Sequence, residues 1–426
     1  TSDYRHVLAD CGAKGAVVST RNLAARLLPA ASETTATEFI VSMEETASDA
    51  FDIALYEWKA IMAMGAASEH NLEPGLQQLR RGDVACLIYT SGTGGNPKGV
   101  MLSHGAILIN CHSACELLRL LGLGDEVFLS FLPLSHAYEH TAGLYFPISI
   151  KAQIYYAESI ETLSANLTEA RPTIMVSVPR LYEVMHRRIV LGLKRQSALK
   201  QSLFAKAVAL GRKDYEKPGS LGALQGMLNR VLERLVRDKV RARFGGRLKA
   251  MVSGGAPLNP EVGIFFTALG VRLLQGYGQT EAAPVISCNP PHKVKLHTVG
   301  PALERVEVKI AEDGEILARG EMVMNGYWND ETSTNAVLRD GWLHTGDIGH
   351  LDADGYIQIT DRKKDIIVLS GGDNLSPQRV EGALTLQPEI GQAMVYGDKH
   401  AHLVALLVPD EDFLRDWQRE RGTEDD

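Results

Sequence analysis

The twelve residues YTSGTGGNPKGV, Tyr89 to Val100, carry the groups needed to handle phosphate. Glycines at 92, 94, 95 and 99 let a backbone approach anionic oxygens, and Thr90, Ser91 and Thr93 add hydroxyl donors. Lys98 adds a cation suited to a terminal phosphate. The order is not that of a P-loop. Counted from Gly92, the sixth position is Pro97, and Gly99 follows Lys98 where a metal-binding Ser or Thr belongs. Taken alone, the stretch suits a surface turn as well as a nucleotide loop.

Three companions narrow the chemistry. QGYGQTE, Gln275–Glu281, offers the glycine-flanked Tyr277 for a base, the Thr280 hydroxyl, and the Glu281 carboxylate for Mg²⁺. WLHTGDIG sets Asp347 in a tight glycine turn, a geometry suited to ribose hydroxyls. TDRKKDIIVLSGGDNLSP places Arg362 and Lys364 between glycine-rich segments, where a hinge is natural. A fourth pattern competes. His136-Ala-Tyr-Glu139-His140 matches the zinc-peptidase form H-x-x-E-H. Pro133 and Gly143 argue against the helix that zinc would need there, so Glu139 and His140 read as site wall. Cys111 and Cys115, with His112 between them, read as helical core residues rather than a metal pair.

These groups need a scaffold to hold them. Apolar runs at 16–19, 85–89, 126–134, 152–156, 172–179, 248–255 and 271–278 are bounded by glycine or proline, and helix-like segments such as His104–Leu121 and Asn259–Leu269 separate several of them. Alternation of this kind predicts α/β layers with a largely parallel sheet. Ser103 is placed to cap the helix after the loop. Leu224, Met227, Leu228, Val231, Leu232, Leu235 and Val236 form one apolar stripe with arginines opposite, ended by Gly245-Gly246. After about residue 295, short alternating strands such as VEVKI and GYIQITD predict a β-rich subdomain, then a small α+β unit from about Lys364. The expected fold is thus α/β: a large multi-layer N-terminal domain over residues 1–361, lacking its first part, and a partial C-terminal lid over 362–426.

The bulk numbers agree. The 426 residues exceed one ordinary domain, and 45% hydrophobic with 23% charged residues is a globular composition. Five scattered cysteines argue against a disulfide framework and for a reducing, cytoplasmic setting. The net charge of −8 hides an asymmetry: residues 180–250 hold 18 Lys/Arg against 5 Asp/Glu, a net of +13, which leaves −21 on the rest. That block reads either as solvated helix faces or as a peripheral contact with anionic membrane. No nucleic-acid-reading motif accompanies it, so nucleic acid is not an expected partner.

The ordered series YTSGTGGNPKG, LPLSHAYEH, SGGAPL, YGQTE, GEILARG, GWLHTGD and TDRKKD resembles the adenylate-forming superfamily of acyl-CoA synthetases, luciferases and peptide-synthetase adenylation domains. The resemblance covers the chain from about residue 84. It is nearest to long-chain fatty-acyl-CoA synthetases, through LPLSHAYEH, the basic helical stretch before RLKAMVSGGAPLNP, and SGGDNLSPQRVE. It implies that Thr90, Ser91, Gly92, Thr93, Gly94, Gly95 and Lys98 hold the β- and γ-phosphates of ATP. Gly255, Ala256 and Pro257, with Gln275, Gly276, Tyr277 and Gly278, would surround adenine. Thr280 would contact the α-phosphate, Glu281 would ligate Mg²⁺, and Asp347 and Arg362 would bind ribose. His136 would line the acyl and thiol side, and Lys364 would be the hinge.

The implied activity is activation of a fatty acid to acyl-AMP, then transfer to CoA. Alternatives are an acyl-AMP ligase serving a carrier protein, or a weakened nucleotide-binding relative. The oligomeric state, homodimer included, stays open. Two departures stand out. Gly94 replaces the family's second threonine, and the sequence stops at Asp426 before the block carrying the family's carboxylate-polarising lysine. Weak adenylation with nucleotide binding retained is therefore expected of this stretch alone.

Overall fold

A computed structural model of the chain describes residues 2–46, 51–90, 96–370, 374–387 and 389–421. Ser91, Gly92, Thr93, Gly94 and Gly95 lie outside the described residues. The chain divides into two compact units: Thr1–Ile109 with Thr280–Ala283 and Glu321–Gly341, and Asn110–Gln279 with Pro284–Gly320 and Trp342–Asp426.

In the first unit, Gly15–Val18, Phe39–Ser42 and Ala54–Glu57 form a parallel sheet. Helices Ser2–Cys11 and Arg21–Ser32 bury Leu8, Leu27 and Leu28 in one cluster with Ile40. The Thr20 hydroxyl caps the second helix by accepting from the Leu23 amide at 3.2 Å. Val84–Thr90 and Lys98–Ser103 pair as an antiparallel hairpin that sets Thr90 opposite Lys98. The Ser103 hydroxyl accepts from the Ala106 amide at 3.1 Å, so Ser103 caps the next helix as expected. Gly326–Tyr327 adds to this hairpin with Tyr327 opposite Val100.

The second unit is built on six strands ordered Val285–Cys288, Leu273–Gly278, Ala250–Ser253, Ile174–Ser177, Val127–Ser130 and Gln153–Tyr156. Neighbours run parallel except the first pair. Val127–Ser130 and Ile174–Ser177 are buried at every position, as strands covered on both faces must be. Tyr182, Phe244, Phe265, Phe266 and Leu273 lie in the core of this unit. A second, antiparallel sheet runs through Glu307–Ile310, Glu315–Arg319, Trp342–Leu351 and Ile357–Arg362. Beyond it come the helix Pro377–Leu384 and the hairpin of Ile390–Tyr396 with Val404–Pro409. The α/β class, with its β-rich stretch and small α+β C-terminal part, is the class expected.

The expected apolar stripe forms but is covered only in part, and one local expectation fails. The stripe on Ala223–Leu232 and its continuation splits: Leu232 and Val236 are buried, while Leu224, Met227, Leu228, Val231 and Leu235 are exposed. The segment after His136 is helical despite Pro133 and Gly143. A wide π-helical turn, Glu139–Tyr145, runs into the helix Phe146–Ser149. Gly143 does not stop it because its missing side chain makes room inside the turn: a Cβ there would stand 2.3 Å from Glu139 Oε1.

Candidate functional site

Each unit carries a polar cluster that includes expected site residues. In the first, Lys98 begins the hairpin's second strand, and its ammonium lies 5.1 Å from the centroid of the Tyr327 ring. It also bonds Ser333 Oγ and lies 3.5 Å from Asp330 Oδ2. Asp330 caps the helix Glu331–Val337 by accepting from the Ser333 amide at 2.9 Å, so both groups are fixed by local structure. On the other side, the Tyr327 hydroxyl donates to Glu281 Oε1 at 2.7 Å. Glu281 sits in the short turn Thr280–Ala282, tied down where its carbonyl accepts from the Met324 amide at 2.9 Å. Burial, then the neighbouring Glu281 carboxylate, push the Tyr327 phenol far above its ordinary value, so it remains a donor. Lys98, Tyr327 and Glu281 therefore form a continuous array of cation, ring and carboxylate. Thr280 is half-buried in the same turn as Glu281, and Thr90 faces Lys98 across the hairpin.

In the second unit the Tyr277 hydroxyl donates to Asp347 Oδ2 at 2.6 Å, and Arg362 Nε reaches Asp347 Oδ1 at 3.2 Å. Asp347 and Arg362 are register partners on adjacent antiparallel strands, which explains their meeting. The turn before Asp347 is pinned by the Gly346 amide donating to Glu315 Oε1 at 2.9 Å, with Gly346 at φ +74°. Ser177 and Ser253 stand at the carboxyl ends of two adjacent parallel strands, and Gln275 stands beside Ser253 on a third, Leu273–Gly278. That is the end of an open α/β sheet at which ligands bind. Gly255, Ala256 and Pro257 follow Ser253 there and are exposed. Gln275 donates from Nε2 to the Thr298 carbonyl at 3.1 Å, while its Oε1 is buried without a hydrogen bond.

His136 is exposed, and its Nδ1 accepts from the Tyr138 amide at 3.2 Å. Glu139 is 1% exposed, so the two are not one ligand set. Burial pushes the Glu139 carboxyl up to about 7, offset in part by the nearby Ser130 hydroxyl and Phe131 amide. Neither of these gives it a hydrogen bond of good geometry. Among the described residues no group of three or more His, Cys, Asp or Glu is arranged to hold a metal, which leaves zinc without support. Lys364 lies exposed in the turn after Ile357–Arg362.

Tyr327, Asp330 and Ser333 were not singled out from the sequence. GYWND does carry a signal, a glycine-flanked aromatic followed by a capping aspartate, but a two-residue strand is too short for periodicity to reveal.

The profile of the AMP-binding enzyme family matches residues 1–328, and that of the AMP-binding enzyme C-terminal domain matches 364–423. The chain belongs to the AMP-binding enzyme family. Within this adenylate-forming superfamily it stands close to the long-chain fatty-acyl-CoA synthetases. A putative fatty-acid–CoA ligase, fadD11, of Mycobacterium tuberculosis is 36% identical over 350 residues, covering 80% of this chain and 60% of the relative. Long-chain-fatty-acid–CoA ligase FadD15 of Mycobacterium bovis is 35% identical over 344 residues, 81% of this chain and 57% of the relative. Long chain acyl-CoA synthetase 6, peroxisomal, of Arabidopsis thaliana is 34% identical over 360 residues, 80% of this chain and 50% of the relative. The chain thus spans 50–60% of the length of these relatives. The crystal structure of the anthranilate CoA ligase AuaEII with anthranoyl-AMP superimposes at a TM-score of 0.71 and 20% identity, covering 98% of this chain and 73% of that one. At that identity the AMP-binding fold, not the substrate, is what the two share.

Proposed function

We propose that this chain carries the ATP- and acyl-handling part of a long-chain fatty acid–CoA ligase. The observation that carries the reading is the Lys98–Tyr327–Glu281 array, a cation and a carboxylate held at fixed positions beside the strand ends of a glycine-rich loop. The similarity to relatives named as fatty-acid–CoA ligases supports the acyl substrate and the CoA acceptor.

A carboxylate is a poor acylating agent because its leaving group would be an oxide. Attack by a carboxylate oxygen on the α-phosphorus of ATP expels pyrophosphate and gives acyl-AMP, whose phosphate is a good leaving group. The CoA sulfur, having lost its proton, then attacks the acyl carbon and AMP departs with the C–O bonding pair. The first step crowds anions together, so fixed cations aimed at the phosphates lower its barrier. Lys98 would meet the β- and γ-phosphates, and Thr280 the α-phosphate. Glu281 fits a Mg²⁺ ligand: Oε1 is held by Tyr327, and among the described residues Oε2 makes no hydrogen bond. A single carboxylate is sufficient where the nucleotide's phosphates supply the other oxygens, and the cation would neutralise their charge. Asp347 and Arg362 would take the ribose hydroxyls, Tyr277 with Gly255–Pro257 the adenine, and His136 the acyl and thiol side. Residues 362–426 would act as a lid turning about Lys364.

Membrane contact through residues 180–250 and a homodimer belong to the same proposal. Pyrophosphate release across a panel of carboxylates, with and without CoA, tests the reading. Release that depends on long-chain acids and yields acyl-CoA is expected. Free acyl-AMP accumulating despite CoA would favour an acyl-AMP ligase. ATP binding without carboxylate-dependent release would leave a weakened relative.

A further inference from the structure

Among the described residues, nothing covers one helix face of the second unit. Along Ala223–Leu232 and the π-helical turn Glu233–Arg237, Leu224, Met227, Leu228, Val231 and Leu235 fall on one stripe and are 83%, 67%, 37%, 48% and 45% exposed. Leu232 and Val236, on the neighbouring face, are buried at 0% and 8% and anchor the helix to the core. The helix is therefore held by one apolar face and offers a second to solvent. Five large apolar side chains gathered in twelve residues are a patch, unlike singly scattered exposed leucines.

Its charge surroundings are one-sided. Arg230 and Arg234 are one turn apart along an edge of the stripe, both exposed and without an ion pair among the described residues. The acids nearby are already occupied: Glu233 pairs with Arg237 and Arg241, and Asp238 with Arg241. Arg237 is further used inside, donating to the carbonyls of Ala207 and Ala268. Arg230 and Arg234, with the exposed Lys239, are thus left uncompensated beside the apolar stripe.

We propose that this ridge docks on an anionic lipid bilayer, with Leu224, Met227 and Val231 entering the headgroup–acyl boundary and Arg230 and Arg234 meeting lipid phosphates. Charge complementarity selects this occupant. Residues 180–250, which include the ridge, carry +13 in a chain of net −8, and Arg230, Arg234 and Lys239 beside the stripe suit an anionic surface. A second copy of the chain, docked ridge to ridge about a two-fold axis, would set the uncompensated arginines against each other. An apolar stripe edged by arginine is the pattern of a helix lying in a membrane interface. The ridge stands on its own surface, so it survives failure of the ligase reading, while narrowing the membrane contact proposed there to one helix.

Flotation of the full chain with phosphatidylcholine vesicles, with and without phosphatidylglycerol, tests it. Wild type should bind the anionic vesicles and release them at high salt. Arg230→Glu with Arg234→Glu should weaken binding by at least about 30-fold, the effect of losing two cations near such a surface. Met227→Asp should weaken it by about tenfold or more with an unchanged melting temperature, since the side chain is exposed. Met227→Trp should shift its emission to the blue on anionic vesicles. Absence of vesicle binding by wild type overturns the proposal, as does equal binding by the variants. So does a Met227→Asp protein that melts earlier or loses a dimer in sedimentation, because the ridge would then be covered by protein.

Discussion

The Tyr327 hydroxyl donates to Glu281 Oε1 at 2.7 Å while its ring lies 5.1 Å from Lys98 Nζ, so one side chain joins the carboxylate to the cation. Tyr327→Phe keeps the ring under Lys98 and removes only the donor. A hydrogen bond to a charged acceptor contributes about 1.5–3 kcal/mol, so binding of ATP with Mg²⁺ should weaken by roughly 10- to 150-fold. Calorimetric titration of the variant checks this. Affinity equal to wild type would take the tyrosine out of the site.

Gly278 is expected to be irreplaceable for a reason unconnected with phosphate. A Cβ there would stand 1.8 Å from the Pro284 carbonyl oxygen, in a turn closed by the Gln279 amide donating to that same carbonyl at 2.9 Å. Backbone on both sides cannot yield, so Gly278→Ala should cost about 3 kcal/mol or more. Gly276→Ala, whose Cβ would meet the Ser287 carbonyl at 3.2 Å, should cost far less. Urea unfolding of the pair separates them, and equal midpoints would refute the steric account.

The strands were legible because a parallel sheet buried on both faces writes itself as continuous apolar runs: those at 172–179 and 248–255 became Ile174–Ser177 and Ala250–Ser253. Among the polar motifs, Tyr277, Asp347 and Arg362 stood in three separate blocks, and strand register brings the last two together. Register is a long-range property, so no block alone reveals it. Periodicity found the helix and its apolar stripe at Leu224–Leu235, but it reports that a helix has an apolar face and not what covers it. Gly143 did mislead. Read as a helix stop, it is a cradle for a carboxyl one turn earlier.

Glu139 gives a pH dependence with a definite sign. Its carboxyl is pushed up to about 7 by burial, from an ordinary value of 4.5. Between those values the folded state holds the proton more tightly than the unfolded chain, so stability falls as pH rises from 4.5 and levels off above 7. At about 1.4 kcal/mol per pKa unit the full loss is about 3 kcal/mol. Glu139→Gln cannot ionise and should lack this component. Unfolding free energies of both proteins at acidic and neutral pH give the comparison, and parallel curves would remove Glu139 as the titrating group.

The Tyr277–Asp347–Arg362 cluster separates a structural carboxylate from a nucleotide contact. Asp347 is nearly buried with its side chain 6% exposed, whereas the Arg362 side chain is 58% exposed. Burial, then the Asp347 carboxylate, push the Tyr277 phenol well above its ordinary value, so this hydrogen bond persists across the accessible pH range. Tyr277→Phe and Asp347→Ala should therefore show a coupling of about 1.5–3 kcal/mol in a double-mutant unfolding cycle. Arg362→Ala removes an exposed cation while Asp347 keeps the Tyr277 hydrogen bond, so it should cost about 1 kcal/mol of stability. If Arg362 also holds ribose, the same variant should weaken AMP binding by about tenfold or more while its melting temperature barely moves. A variant that melts normally and binds AMP as wild type would confine the cluster to holding two strands together.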